Sequence, residues 1–370
     1  MDRRSFIEKS LAEGGSAVAT LAQSKSVFTA NPRKILVLGG TSFLGPATVE
    51  AALMGGHEVT LFNRGQTHPE LFPRLEKLRG FRAVDAQQQN MKSLEGQRRW
   101  DAVIDVWPCE PTLVASAATL LQDRTDHYLY VSSVGAYASY RQPGINEDSP
   151  ARAFDGNEED YSSAKAESER RLKAIAGNRL TVVRPNAIHG IRDVSPDIIS
   201  WLLGALRGGT HIGPGDGNDY AEETVDVKDV ARFLIASIER DITGTFNLTG
   251  HPLTFRDYLA ACNEATGSDA QWIWIPKEFL ARHGIADWNH FLGWNTDPAD
   301  RGFNQISSQK ASDAGWSRRS FKETALDILA YYRTPNSKIV DWHHPQIPWQ
   351  DPLTPEKEQA VLRAWKSTPA

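Results

Sequence analysis

Four consecutive apolar residues, Ile35-Leu36-Val37-Leu38, run straight into Gly39-Gly40-Thr41-Ser42-Phe43-Leu44-Gly45. This junction constrains the fold more than any other stretch. A continuous apolar run of that length reads as a strand covered on both faces. The stretch after the glycines reads as a helix to about Met54, with Pro46 in its first turn, where a missing N–H costs nothing. A strand, a glycine turn and a helix in that order aim the free amides of a helix N-terminus at whatever fills the turn, and an anion fits best. Gly39 can supply the tight turn and Gly45 the close packing of helix on strand. Ser42 stands where another glycine is usual, and its hydroxyl can donate to phosphate. The arrangement suits the pyrophosphate of a dinucleotide; a purely structural turn is the alternative.

The rest of the chain repeats the alternation. Strands are expected at Glu58 to Phe62, 81–84, Asp101 to Val106, His127 to Ser132 and Leu180 to Val183. Helices are expected at 70–79, 112–121 and Tyr161 to about Ala176. That spacing specifies an α/β fold, a doubly wound parallel (Rossmann) sheet. The expected division is a leader at 1–31, a nucleotide domain at 32–189, a smaller C-terminal substrate lobe at 190–333 interleaved with sheet-edge elements, and a tail at 334–370. The tail should end in a helix capped by Thr354, with Pro355 at its first position, running to about Lys366.

Charge and cysteine content narrow the function classes. The 370 residues carry 41 basic and 46 acidic side chains, a net of −5, so electrostatically driven nucleic-acid binding is not expected. The two cysteines, Cys109 and Cys262, cannot build a disulfide framework or a structural zinc site; two buried thiols are expected, with one bridge between them as the alternative. His343-His344 has no third ligand spaced nearby, so no metal is expected. No apolar run is long enough for a membrane span. Arg3-Arg4-Ser5-Phe6-Ile7, followed by the small, weakly apolar stretch from Ser10 to Ala22, resembles a twin-arginine export signal. That resemblance implies an exported, periplasmic protein; without a working signal the chain stays cytoplasmic.

The end of the second strand bears on cofactor choice. An acidic residue there would take the ribose hydroxyls of NAD, but the chain has Asn63-Arg64. Asn63 can bond a ribose without repelling a 2′-phosphate, and Arg64 can pair with one, which favours NADP over NAD. Further along, Tyr161 and Lys165 sit four apart on one helix face, after the fifth strand and near the carboxyl edge where open α/β sheets bind ligands. A phenol is a poor base at neutral pH, and a cation one turn away stabilises its phenolate. Tyr161 can then exchange a proton with an alcohol or carbonyl.

The glycine turn, the strand end Ser132-Ser133-Val134-Gly135-Ala136-Tyr137 and Tyr161-Ser162-Ser163-Ala164-Lys165 together resemble the short-chain dehydrogenase/reductase superfamily, in its extended or atypical branch of NAD-dependent epimerases and dehydratases. Arg184-Pro185-Asn186-Ala187-Ile188-His189-Gly190, the stretch from Val225 to Ala231, and Gly244-Thr245-Phe246-Asn247 extend the match over about 33–333. The resemblance implies Ser133, Tyr161 and Lys165 as catalytic residues. It implies a cofactor site of Gly39, Thr41, Ser42, Phe43, Leu44 and Gly45, then Asn63, Arg64, Asp85, Val106 and Ser132, and finally Lys165, Pro185 and Ile188. The function so implied is an NAD(P)-dependent epimerase or dehydratase acting on a sugar or related alcohol through a transient ketone. A net NADP-dependent reductase of a small carbonyl compound is the alternative, and a non-catalytic, nucleotide-bound RNA-binding or scaffold protein is the third. A small-molecule substrate is the expected partner, and a homodimer is one option. Trp272, Trp274, Trp288, Trp294 and Trp316 are candidates for core or for stacking on substrate.

Overall fold

The computed structural model describes residues 31–82, 90–106, 110–193, 195, 197–287, 290–291, 293–334 and 353–368. The calls on 1–31 (all but its last residue), Asp85, Cys109, Trp288 and His343-His344 lie outside these residues.

A seven-stranded sheet, parallel at every pairing, forms the centre. Its strands are β1 (Lys34–Leu38), β2 (Glu58–Asn63), β3 (Glu76–Arg79), β4 (Trp100–Asp105), β5 (Thr125–Val131), β6 (Leu180–Pro185) and β10 (Gly244–Leu248), in the order β10-β6-β5-β4-β1-β2-β3. The order reverses between β1 and β4, and ligands of open α/β sheets bind at that switch point, beyond the strands' carboxyl ends. Two small parallel pairs lie outside this sheet: β7 (Ala187–His189) with β9 (Thr224–Asp226), and β8 (Thr210–Pro214) with β11 (Gln271–Ile275).

The alternation within β1 shows why the strand reads as continuously apolar. Ile35 and Val37 join one buried cluster with α1 (Leu44–Met54) and α5 (Val227–Glu239), through Val49, Val230 and Leu234. Leu36 and Leu38 join another with α2 (Pro111–Leu121) and α3 (Tyr161–Ala176), through Val114 and Leu172. Both faces are covered. A third apolar cluster is built from α4 (Asp197–Arg207), α6 (Phe255–Thr266), α7 (Lys277–Arg282), α9 (Phe321–Tyr332) and α10 (Pro355–Lys366); the short α8 (Gln309–Asp313) instead places Ala311 in the first cluster. The capped terminal helix has the expected bounds: Thr354 accepts from the Lys357 amide, and Val361 and Leu362 enter the third cluster. Cys262 is a buried free thiol on α6, and burial raises its pKa.

One stretch differs from expectation. Residues 70–79 are not a helix; after turns at 68–75 they yield the edge strand β3, and of the strand expected at 81–84 only 81 and 82 are described, neither of them in a strand. Pro69 and Pro73 break helical hydrogen bonding, His68 and Phe72 take positive φ, and Lys77 Nζ donates to the carbonyls of Pro69 and Leu71. An edge strand of Glu76-Lys77-Leu78-Arg79 carries too little apolar alternation to be read as one.

Candidate functional site

A cavity of about 990 Å³ opens at the carboxyl ends of β1, β4 and β5. Every described residue expected in the site borders it: the whole glycine turn, Asn63 and Arg64, Val106, Ser132 and Ser133, Tyr161 and Lys165, Pro185 and Ile188.

The turn owes its shape to two glycines. Gly39 takes φ +124°, and a Cβ there would stand 2.7 Å from Val106 across the switch point. A Cβ on Gly45 would lie 2.5–2.7 Å from backbone atoms of Gly40, so helix and turn touch directly. The first turn of α1 has no side-chain cap and no acidic residue, which leaves its amides for an anion. This uncapped N-terminus bordering the cavity, with the glycine contact that lets backbone approach a ligand, fits a dinucleotide pyrophosphate.

At the β2 end, Asn63 departs from its expected role. Its Oδ1 accepts from the Gly65 amide (2.9 Å) and Arg79 Nη1 (2.7 Å), and its Nδ2 donates to the Gly39 carbonyl (3.1 Å). It borders the cavity but chiefly ties the turn to the sheet edge. Arg64 is exposed and makes no hydrogen bond or ion pair among the described residues. Phe81 and Arg82, both missed in the sequence, border the same end. Arg82 is buried and bidentate to Asp105 (2.9 and 2.6 Å), which also accepts from Tyr128 Oη at 2.7 Å. Burial works against the Arg82 charge, but Asp105 outweighs it and raises the pKa. A carboxylate closing the apolar strand β4 was the available signal that it needed a buried cation.

The two serines that end β5 part company. Ser132 Oγ donates to Glu169 Oε1 at 2.5 Å, so its hydroxyl is spent in the interior rather than on a cofactor. Glu169 also accepts from Arg184 Nε and Nη2 (2.9 and 2.6 Å), and the network pins the ends of β5 and β6 to α3. Ser133 caps a short 3-10 turn, Val134–Ala136; its Oγ accepts from the Gly135 amide (3.0 Å), which leaves the hydroxyl proton for an oxygen in the cavity.

Tyr161 opens α3 just after the cap Asp160, which accepts from the Ser162 amide. Its ring is 46% exposed, whereas Lys165, one turn on, is buried. Lys165 Nζ donates to the Val131 carbonyl (2.6 Å) and lies 5.6 Å from the Tyr161 ring centroid. The helix thus holds a cation beneath an accessible phenol, with a serine hydroxyl on the same cavity. A hydroxyl or carbonyl oxygen can exchange a proton there.

The cavity is also bordered by Tyr140, Asn186, Glu222, Asn295, Asp300 and Phe303. Tyr140 and Phe303 meet edge to face at 5.1 Å. These two rings add to the aromatic side chains of Phe43, Phe81 and Tyr161 already on the lining. None of the four described candidate tryptophans borders the cavity, and Trp294 and Trp316 are core.

Residues 109–249 match the model of the NAD dependent epimerase/dehydratase family. The chain is 27% identical over 272 residues to the chloroplast stem-loop binding protein of 41 kDa b of Arabidopsis thaliana, a match covering 68% of this chain and 69% of the relative. It is 25% identical over 338 residues to sterol demethylase protein B of Methylococcus capsulatus, covering 80% of this chain and 98% of that one. Among solved structures, the UDP-glucose 4-epimerase of Thermotoga maritima with UDP-glucose superposes with a TM-score of 0.57 at 19% identity, over 81% of this chain and 98% of that one. The Bordetella bronchiseptica enzyme WbmH in complex with NAD+ superposes with a TM-score of 0.60 at 17% identity, over 83% and 100%. At these identities the likeness establishes the fold, a Rossmann-like sheet flanked by helices.

Proposed function

We propose that this chain belongs to the epimerase/dehydratase family along its length and is an NAD(P)-dependent enzyme. In this reading it oxidises a hydroxyl-bearing small molecule to a transient ketone and reduces it again. The observation that carries the proposal is one cavity shared by the uncapped α1 N-terminus with its glycine turn and by Ser133, Tyr161 and Lys165. When bound, a nicotinamide dinucleotide supplies hydride acceptance and return. The chain's own residues handle the proton. Ser133 donates a hydrogen bond to the substrate oxygen, Tyr161 Oη takes the hydroxyl proton as the carbonyl forms and gives it back on reduction, and Lys165 stabilises the phenolate between the two. NADP is the preferred nucleotide in this proposal, because Arg64 presents a free guanidinium at the β2 end and no acid stands there.

The alternative is net reduction of a carbonyl compound by the same Ser133, Tyr161 and Lys165. The relative named for stem-loop binding raises the RNA reading, but a net charge of −5 and a proton-transfer set facing a cavity weigh against it. We also propose export, supported by Arg3-Arg4-Ser5-Phe6-Ile7; a reporter fused to residues 1–31 that stays cytoplasmic refutes it. An exported enzyme has no ready supply of fresh reduced nucleotide, so its cofactor should stay bound and return to its starting state each cycle.

Tyr161→Phe tests the proposal. It should cut turnover by at least about 100-fold while nucleotide affinity stays within about twofold, because the ring still packs. A variant retaining more than about a tenth of the wild-type rate refutes the role of Tyr161.

A further inference from the structure

Among the described residues bordering the cavity, Arg64 and Arg82 follow β2 and β3 at one edge of the sheet, whereas Glu222 precedes β9, which pairs with β7 just beyond β6 on the other side. The bordering cations are Arg64, Arg82 and Lys165: the first two near the glycine turn, the third already donating to the Val131 carbonyl. Beyond Tyr161, the described lining offers Glu222 and Asp300 with Asn186 and Asn295, and no lysine or arginine. Arg152, which interacts with the Tyr140 hydroxyl, does not border the cavity.

Glu222 is the distinctive group. Its backbone amide donates to the Gly293 carbonyl (3.0 Å), while no described residue donates a hydrogen bond to its carboxyl group. One His189 nitrogen and one oxygen each of Asp197 and Glu222 lie within 4.8 Å of one another. The only cation of that group is His189, and its Nδ1 is engaged by Asp193 at 2.7 Å. Burial first, then Asp197 and Asp193 against His189, pushes Glu222 up to about 7. Asp300 accepts from Asn295 Nδ2 at 2.9 Å and keeps its other oxygen for a ligand. A half-buried carboxyl group without a donor is completed by a ligand that brings one.

We infer that the substrate is a non-anionic compound presenting hydroxyl or amine donors to Glu222 and Asp300, and that nucleoside diphosphates are excluded by these carboxylates. The inference rests on the proposed function and names the substrate class of the same site. It separates this chain from a fold neighbour whose structure holds UDP-glucose. A diphosphate needs cations or free amides, whereas this wall sets Asp300 and, once ionised above about pH 7, Glu222 against it in a partly desolvated cleft.

The test is saturation-transfer NMR on the full chain loaded with NAD, using UDP-glucose and D-glucosamine as probes at about 1 mM, a concentration that detects weak binders. Glucosamine should give saturable signals and UDP-glucose none. Glu222→Gln should weaken glucosamine about tenfold, and Glu222→Lys should abolish its binding. Saturable binding of UDP-glucose, silence from glucosamine, or equal glucosamine affinity in wild type and Glu222→Gln each overturns the inference. Nucleotide retention, followed in the same samples, reports separately on the proposed function. A chain that holds NAD but takes UDP-glucose refutes the substrate class and leaves the nucleotide site standing.

Discussion

Glu169→Ala should destabilise the protein by about 3–5 kcal/mol, the cost of removing one partner from a buried ion pair. Arg184 is 6% exposed and donates two short bonds to Glu169, at 2.9 Å from Nε and 2.6 Å from Nη2. Without the carboxylate its charge stays behind in the interior. Within the same cost, Ser132 loses the acceptor of its 2.5 Å hydrogen bond, on the order of 1 kcal/mol. At roughly 2 °C per kcal/mol for a chain of this size, the melting temperature of nucleotide-free protein should fall by about 6–10 °C. Glu169→Leu combined with Arg184→Met should recover most of the loss, because an apolar pair of similar volume needs no compensating charge. The network lies behind Ser133 and one helical turn from Lys165, so Glu169→Ala should also lower turnover more than it weakens nucleotide binding. Thermal melts of wild type, the single variants Glu169→Leu and Arg184→Met and their double supply the cycle, with Glu169→Ala melted alongside and urea unfolding as a second readout. A Glu169→Ala variant within about 1 kcal/mol of wild type, or a double variant as unstable as the sum of the singles, refutes the reasoning.

Arg64→Ala should lower NADP affinity about ten- to hundredfold and leave NAD almost unchanged, as read by calorimetric titration; equal losses exclude contact with a 2′-phosphate. Stability should fall as pH rises between 6.5 and 9. Burial works against a charge on His189, but the Asp193 hydrogen bond and the charges of Asp193, Asp197 and Glu222 outweigh it and raise its pKa from 6.5 to about 9. A raised histidine contributes stability that is complete below 6.5 and lost as pH climbs through 9. Glu222, raised to about 7 mainly by burial, loses stability in the same direction over the lower window, from 4.5 to 7. His189→Gln should therefore flatten the melting profile above pH 6.5, and an unchanged slope between 7 and 9 counts against the pair.

The nucleotide half of the molecule was largely legible because its signals are local. Ile35 to Gly45 carries strand, turn and helix start in eleven residues, and Tyr161 with Lys165 shows its shared helix face by spacing alone. What stayed hidden depends on partners distant in sequence. Asn63 read as a ribose ligand because nothing nearby announces the Gly39 carbonyl and Arg79 as its partners. Ser132 and Ser133 are indistinguishable as neighbours, and only Glu169, 37 residues on, draws the first hydroxyl inward. The edge strand β3 escaped notice because one exposed edge relieves it of apolar alternation. Glu222 gave no sign in sequence; it borders the cavity two residues before β9, beside Gly293, which it meets only in the folded chain.

The central claim is that the cavity over Gly39–Gly45 holds a nicotinamide dinucleotide for chemistry at Tyr161. The most direct measurement is to release any bound nucleotide from purified full-length protein with acid and identify it by mass. The account predicts NAD or NADP, near one per chain, retained through dialysis and supporting turnover with none added. A protein that purifies empty and shows no saturable binding of either nucleotide contradicts it.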